Sequence, residues 1–322
     1  MLNKENKMKK FLAILFLMFL SVSLVSAKES KMNTIRLVYP QWQGGNIGNF
    51  VPELQPDDAS TGYILGSELL NFLAPQTKNK TVIVPVTDDL NRTEEFGIMG
   101  YKPILKQTKE AIKILNKENP DKIVVLGGEC SVSVVPFTYL AKKYNNDIAM
   151  VWIDAHPDIT LPDDKTYNGY HAMAVTAIMG KENNKGWNDI VSQLPAKISS
   201  DKILFVGLRD WEREQIKDRQ IEYGIKHLTS EEVSQNSDKI IEWIKQTGVH
   251  NVVIHFDMDV LDPNEIIAAV GVVPNGMKIA EVVRVINDIN NNFNVVGLTV
   301  AEPMPRTAIR LKKMLEQLPL IK

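Results

Sequence analysis

Short apolar runs alternate with amphipathic stretches along most of the chain. The runs at residues 35–39, 148–153 and 252–256 have the length and the Val and Ile content of buried strands. Residues 103–116 instead place apolar side chains at helical spacing. Strands that alternate with helices at these intervals indicate βαβ units and a parallel sheet. The pattern therefore predicts one α/β/α domain over residues 28–322, a three-layer sandwich with a mainly parallel, doubly wound sheet.

The same two patterns predict the remaining elements. Because right-handed crossovers direct parallel strands the same way, we expect the loops that follow the strands to share one edge of the sheet. Further strands are predicted at residues 81–86, 122–126, 202–207 and 294–300, and further helices at residues 62–73, 134–143, 231–247, 279–290 and 307–318, with another beginning at residue 171.

The first 27 residues have a different pattern. Four lysines precede a mostly apolar run at residues 11–25, and small residues follow at positions suited to cleavage after Ala27. This order of segments is typical of a Sec-type signal peptide. The apolar run is shorter than the roughly 20 residues of a membrane-spanning helix. We therefore expect a protein that is exported to the periplasm or the medium and has no stable membrane span after cleavage.

Charge and cysteine content exclude some classes of protein. The net charge of −2 gives no basic field that would attract nucleic acid, and the aromatic residues are scattered rather than grouped for base stacking. Cys130 is the one cysteine in the sequence, so the chain forms no internal disulfide although we expect it to be exported.

Metal-ligand side chains follow two of the predicted strands. Asp154, His156 and Asp158 stand two residues apart after one apolar run. Asp257 and Asp259 follow another. A single Asp after a strand is more often a turn or helix-capping residue, but two such strand ends crowd charge at one edge, which is costly unless something compensates it. Four carboxylates and one imidazole suit Mn²⁺, with Zn²⁺, Ni²⁺ and Fe²⁺ as alternatives.

Together with other strand-end motifs, these residues resemble the arginase–agmatinase family of metal-dependent ureohydrolases. The resemblance implies an α/β/α fold, a homo-oligomer (a trimer or hexamer) and two Mn²⁺ ions bridged by a hydroxide. It also implies that the hydroxide attacks a small guanidino substrate and that urea is released, with arginine as the first-guess substrate. The matching segments, in the family's order, are residues 127–131, 154–158, 171, 207–210, 256–263 and 301–303.

The resemblance also implies ligands for the two metal ions. Asp154 and Asp257 match the carboxylates that touch both ions. His156 and Asp259 match further ligands of one ion, and Asp158 matches a ligand of the other. The sixth position is Cys130, where the family normally has a histidine.

Three other residues match positions that act on the substrate. His171 matches a histidine thought to carry protons to the leaving amine, and Glu302 matches the glutamate that holds the guanidinium. Glu212 lies where arginases place an acid for the α-amino group, although a solvated carboxylate at a helix start explains it equally well. Asp259 is also expected to orient the hydroxide.

Cys130 leaves two interpretations open. A thiolate is a soft ligand, so Cys130 either remains a ligand and favours Zn²⁺, Co²⁺, Ni²⁺ or Fe²⁺ over Mn²⁺, or it is a buried thiol beside a weakened half-site. His255 shares a strand face with Asp257 but lies one step deeper, so we interpret it as a core or supporting histidine rather than a ligand.

Other functions remain as alternatives to arginine hydrolysis. Residues 159–162 and 166–169 do not reproduce the Asn and Ser pattern that arginases use around the α-carboxylate, so agmatine, a guanidino acid or a formimino compound are alternative substrates. The departures also allow a non-catalytic or single-metal protein with this fold. A deacetylase is a third class, but such enzymes use paired histidines, and the sequence has no His-His pair.

Overall fold

The computed structural model describes residues 32–165 and 167–319. The predicted signal segment, residues 1–27, lies outside these ranges. Within them no helix is long and apolar enough to cross a membrane.

An eight-stranded sheet with only parallel neighbours forms the centre of the molecule, as predicted. Its order is β2-β1-β5-β10-β9-β6-β7-β8, and β3 and β4 form a separate two-stranded hairpin. The strands are β1 Thr34–Tyr39, β2 Lys80–Ile83, β3 Glu94–Glu95, β4 Ile98–Met99, β5 Lys122–Gly127, β6 Ile148–Ile153, β7 Ile203–Val206, β8 Lys226–Leu228, β9 Asn251–Asp257 and β10 Asn294–Ala301.

Helices lie between the strands in sequence, as the alternating pattern predicted. Short 3-10 turns at residues 130–133, 162–164, 171–173, 200–202 and 258–260 connect some elements. The α-helices are α1 Pro56–Leu73, α2 Tyr101–Glu118, α3 Val134–Lys143, α4 Ala174–Ile178, α5 Lys185–Val191, α6 Glu214–Tyr223, α7 Ser230–Val233, α8 Asp238–Thr247, α9 Ile279–Asn292 and α10 Arg306–Leu315.

Both faces of the sheet are covered, which is why its strands are apolar throughout. All six residues of β6 are buried. Its alternate side chains enter two different hydrophobic clusters, with Met150 and Trp152 in one and Val151 and Ile153 in the other. A parallel sheet with helices on both faces requires such continuous apolar strands. The predicted three-layer α/β/α fold is therefore confirmed.

One predicted helix was wrong. Residues 231–247 were predicted as a single helix, but the structure has α7 and α8 separated by residues 234–237. These residues are Ser-Gln-Asn-Ser, and the side chain of Asn236 accepts a hydrogen bond from the Asp238 backbone N–H at 3.0 Å. Short polar side chains that bond to the nearby backbone compete with helical hydrogen bonds, which explains the break.

The sheet order brings together four of the five strands that end in the predicted motifs. The neighbours β5, β10, β9 and β6 form the middle of the sheet. Asp257 ends β9 beside Ala301 of β10, and on its other side Phe256 pairs with Ile153. Asp154 and Asp257 therefore reach the same edge of the sheet, which was the requirement for a shared metal site.

Candidate metal centre

A cavity of about 560 Å³ opens at the carboxyl edge of these middle strands. Eight of the nine predicted site residues line it. The ninth, Asp154, has donor atoms close to those of several lining residues. The lining residues among the nine are Cys130, His156, Asp158, His171, Glu212, Asp257, Asp259 and Glu302.

Four donor side chains converge in what we call the inner cluster, which consists of Cys130, Asp154, His255 and Asp257. One donor atom from each residue lies within 4.8 Å of the others, and all four side chains are buried. The Cys130 thiol donates to Asp257 Oδ2 at 2.9 Å. The 3-10 turn after β5 places Cys130 here, and strands β6 and β9 place the other three. The inner cluster thus offers sulfur, nitrogen and oxygen donors.

The inner cluster contains acids whose charge the protein does not neutralise. Burial raises the pKa of Asp257 well above its ordinary value, and the carboxylates of Asp259 and Asp154 raise it further. Burial likewise raises the pKa of Asp154 to about 7 and that of the Cys130 thiol well above its usual range. Crowded, desolvated acids give up their protons readily only when a cation joins them, so this donor set fits a divalent metal ion.

The imidazole of His255 belongs to this cluster although the sequence placed it in the core. Ser133 Oγ lies 2.8 Å from His255 Nδ1, whereas His255 Nε2 is buried with no hydrogen-bond partner. The ring stacks on Trp152, with centroids 3.6 Å apart and planes 7° from parallel. Burial lowers the pKa of His255 to about 3, so the ring is neutral at ordinary pH. An unpaired buried nitrogen beside three acidic donors suits a metal ion.

A second group, the outer cluster, consists of Asp154, His156 and Asp259. His156 Nδ1 lies 2.9 Å from Asp259 Oδ2 and 3.6 Å from Asp154 Oδ1. Burial raises the pKa of Asp259, but the His156 imidazole outweighs that effect and the pKa falls to about 2. Burial lowers the pKa of His156, and the same carboxylates raise it well above 6.5. Within the outer cluster, the charges of His156 and Asp259 therefore compensate each other.

Asp158 lines the cavity but belongs to neither the inner nor the outer cluster. It is buried, its backbone is left-handed with φ 50°, and its Oδ2 has no hydrogen-bond partner. Burial raises its pKa well above the usual range, with Asp154 the next cause. The expected role of Asp158 as a metal ligand stays a prediction, supported by this unpaired oxygen.

His171 and Glu302 also lie beside the inner cluster. Donor atoms of Cys130, His171 and Glu302 are within 4.8 Å of one another, and His171 Nδ1 is 3.3 Å from Glu302 Oε1. On its other side His171 Nε2 contacts the Tyr167 hydroxyl at 2.7 Å. Burial lowers the pKa of His171, but Tyr167 and Glu302 outweigh it and raise the pKa well above 6.5. A histidine held in this way is protonated at neutral pH.

Glu302 is already engaged in the protein. The Tyr63 hydroxyl donates to Glu302 Oε2, and the Cys130 backbone N–H donates to Oε1 at 3.1 Å. A carboxylate accepts more than one hydrogen bond at each oxygen, so Glu302 retains capacity on the cavity side. Sequence reasoning missed Tyr63 and Tyr167, because neither belongs to a strand-end motif and only the fold brings them here.

Charged residues stand at another part of the cavity wall. Glu212 lines it with a half-exposed side chain, and its backbone N–H donates to Asp210 Oδ1 at 2.7 Å. Arg213 also lines it, and its Nη2 lies 3.6 Å from Glu212 Oε2. The Nε and Nη2 atoms of Arg213 are buried without a hydrogen-bond partner. This wall therefore presents both signs of charge to a bound molecule.

Comparison with known proteins identifies the family. A protein-family model described as "Arginase family" matches residues 74–314, which is most of the chain. The chain belongs to the arginase family. The resemblance drawn from the strand-end motifs is thereby confirmed, together with the fold that it implied.

A curated relative agrees with the family assignment, and solved structures agree with the fold. The chain is 30% identical to an arginase of Staphylococcus aureus (strain MRSA252) over 183 residues, which covers 54% of this chain and only 58% of that protein. Among solved structures, Entamoeba histolytica arginase in complex with L-ornithine has a TM-score of 0.70 at 19% identity, covering 86% of this chain and 92% of that one. Bacillus caldovelox arginase has a TM-score of 0.66 at 19% identity, covering 90% and 100%.

Proposed function

We propose that the chain hydrolyses a C–N bond of a guanidino compound, adding water and releasing urea and an amine, with L-arginine as the first candidate substrate. The observation that carries the proposal is a pair of donor clusters that share Asp154 at one cavity, with His171 beside them. Membership of the arginase family supports the same reaction class.

The two clusters are the residues that would hold two divalent ions. Such ions, when bound, lower the pKa of a water molecule towards about 7 and make it a nucleophile at neutral pH. Asp259 stays ionised, since its pKa is about 2, and can accept a hydrogen bond that orients the attacking water. Glu302, which lines the cavity, would bind the cationic guanidinium, whose charge it complements.

His171 would supply the proton that the leaving amine needs. Its raised pKa keeps it protonated at neutral pH, and the contacts with Tyr167 and Glu302 fix the ring at the cavity. A positioned acid of this kind contributes about 10²–10⁴-fold to a reaction rate. His171 therefore has both the charge and the location for proton donation.

Arg213 favours arginine over agmatine. The Arg213 guanidinium at the cavity wall, paired among the described residues only with Glu212 at 3.6 Å, complements a carboxylate of the substrate, and Glu212 complements an α-amino group. Agmatine has no carboxylate, whereas arginine and guanidino acids do. A formimino compound that carries a carboxylate is the second candidate, because Arg213 would bind it in the same way.

The proposal is tested by urea release. We expect the purified chain, supplied with Mn²⁺, Zn²⁺, Co²⁺ or Ni²⁺ in turn, to release urea from arginine faster than from agmatine. Absence of urea and ammonia from a panel of guanidino and formimino compounds with every metal would contradict it. A metal content of one ion or none per chain, measured alongside, would then favour a non-catalytic or single-metal protein with the arginase fold.

The role of Arg213 has its own test. Arg213→Gln should raise the KM for arginine by about tenfold, the effect of losing roughly 1.4 kcal/mol of binding, and should leave the KM for agmatine nearly unchanged. Arg310→Gln, at an exposed position of α10, is the matched control. Equal effects of Arg213→Gln on both substrates would remove the argument for a carboxylate.

We further propose that this activity is exported, because residues 1–27 have the pattern of a signal peptide. The amino-terminal residue of protein recovered from the producing cell tests this, with Lys28 expected. A homo-oligomer, a trimer or hexamer, follows from the resemblance alone, and its mass in solution tests it.

A further inference from the structure

We propose that His255 is a metal ligand, and that Cys130, Asp154, His255 and Asp257 together form a thiolate–imidazole–carboxylate site that prefers Zn²⁺ to Mn²⁺. The inference concerns metal binding and does not require that the chain hydrolyse any substrate. It reverses the sequence-based interpretation of His255 as a core or supporting histidine.

Two contacts fix the orientation of the His255 imidazole. Ser133 Oγ occupies His255 Nδ1 at 2.8 Å, and the Trp152 indole stacks on one face of the imidazole. A histidine ligand characteristically has one ring nitrogen fixed by a hydrogen bond so that the other points at the metal. In His255 one ring nitrogen is fixed by such a hydrogen bond, and Nε2 has no hydrogen-bond partner.

The Nε2 atom of His255 has no hydrogen-bond partner. His255 is 0% exposed, so Nε2 has no access to bulk water. Buried polar atoms in native proteins almost always have a partner, and an exception asks for an explanation. A donor nitrogen of this ring shares a 4.8 Å group with a thiol and two carboxylates, which are the side chains that bind divalent metals. A metal ion would satisfy all four at once.

The surrounding residues hold the four donors as one unit. The 3-10 turn at residues 130–133 supplies both the Cys130 thiol and the Ser133 hydroxyl that orients His255. Trp152 stacks on His255 and also donates from Nε1 to Asp154 Oδ2 at 2.8 Å. A substitution that moved the indole would therefore displace two donors together. Such shared support is typical of built metal sites.

The donor types decide the preferred ion. Zn²⁺ binds Cys, His and carboxylate ligands, most often four of them, whereas Mn²⁺ prefers oxygen and imidazole to sulfur. The inner cluster contains the one thiol of the sequence, and the outer cluster has only carboxylates and an imidazole. The two clusters are thus chemically unequal, and we expect Zn²⁺ to fill the inner cluster first.

X-ray absorption on the full chain tests the ligand set without any activity measurement. One equivalent of Zn²⁺ added to chelator-treated protein should show sulfur at about 2.3 Å and imidazole nitrogen at about 2.0–2.1 Å. His255→Gln should lose the imidazole signal and at least about tenfold in Zn²⁺ affinity. His250→Gln, at an exposed histidine next to the same strand, is the matched control and should change neither.

His171 has to be separated from His255, because it also lies near Cys130. If His255 is the ligand, the His171→Gln variant should keep the imidazole signal. The inference would be overturned if His255→Gln kept the imidazole signal and His171→Gln lost it. Sulfur without any imidazole in the unmutated protein would overturn it as well, even if His255→Gln failed to fold. Failure of urea release with these signals intact would count against the proposed function alone.

Discussion

The inner and outer clusters share Asp154 and lie at one cavity, yet the protein treats their charges differently. In the outer cluster His156 compensates the charge of Asp259, and the pKa of Asp259 falls to about 2. In the inner cluster burial raises the pKa of Asp257 and of the Cys130 thiol, and the imidazole nearby is neutral. The inner cluster therefore depends more on an added cation than the outer cluster does.

Asp154→Asn tests the comparison most severely, because Asp154 belongs to both clusters. We expect the metal content to fall from two ions to fewer than one per chain and the rate of urea release to fall by about 10³-fold. Metal analysis and a urea assay measure both. Asp163→Asn, an exposed position of the 3-10 turn at residues 162–164, should match the unmutated protein. Loss from one cluster only would show that the clusters do not depend on Asp154 in common.

His171→Gln should separate catalysis from metal binding. Removal of the proton donor is expected to lower kcat by about 10²-fold while both ions stay bound, because His171 belongs to neither the inner nor the outer cluster. Steady-state kinetics on metal-saturated protein measure the effect. An equally large loss of metal would instead place His171 among the ligands.

Cys130→Ser should affect the two clusters unequally. The serine oxygen is a harder donor than sulfur, so Zn²⁺ affinity of the inner cluster is expected to fall by about 10–100-fold. Mn²⁺ binding to the outer cluster, which has no sulfur, should stay within about twofold by the same donor preference. Competitive titration with a chelator of known affinity measures both. Equal losses for the two ions would contradict the assignment of the thiol to one cluster.

The smallest effect is expected at the loop that carries Asp158 and His171. Arg219 holds this loop through two contacts with Asp164, at 2.5 and 2.6 Å. Arg219→Gln should lower the free energy of unfolding by about 1–3 kcal/mol, because it leaves a largely buried carboxylate short of partners. Denaturant unfolding measures the change. Metal content of both clusters should be retained, since neither contains Arg219.

This last effect should depend on pH. Burial raises the pKa of Asp164, but the hydrogen bond from Arg219 outweighs it and the net pKa is lowered. The contribution is therefore present above the unfolded-state pKa of a carboxyl group and is lost as the pH falls through the folded-state value. The stability difference between Arg219→Gln and the unmutated protein should narrow in acid. A difference that widened in acid would contradict the sign.

The sequence by itself determined the fold class and the sheet edge at which the candidate site residues meet. Buried strands that end in Asp154 and Asp257 predicted both the parallel sheet and the edge where the acids meet, because alternation and crossover handedness leave few other arrangements. The prediction of one helix over residues 231–247 was wrong because short polar side chains compete with the helical hydrogen bonds of the backbone. That competition was readable in principle from the Ser-Gln-Asn-Ser stretch.

Only the tertiary structure decided how the donors are divided and supported. His255 was visible on the correct strand face, but whether its nitrogens were satisfied depended on Ser133 and Trp152, which belong to other elements. Tyr63 and Tyr167 likewise reach Glu302 and His171 through the fold and not through any motif. Spacing along a strand determines the face to which a side chain points. Whether its polar atoms have hydrogen-bond partners depends on neighbours that lie far away in sequence.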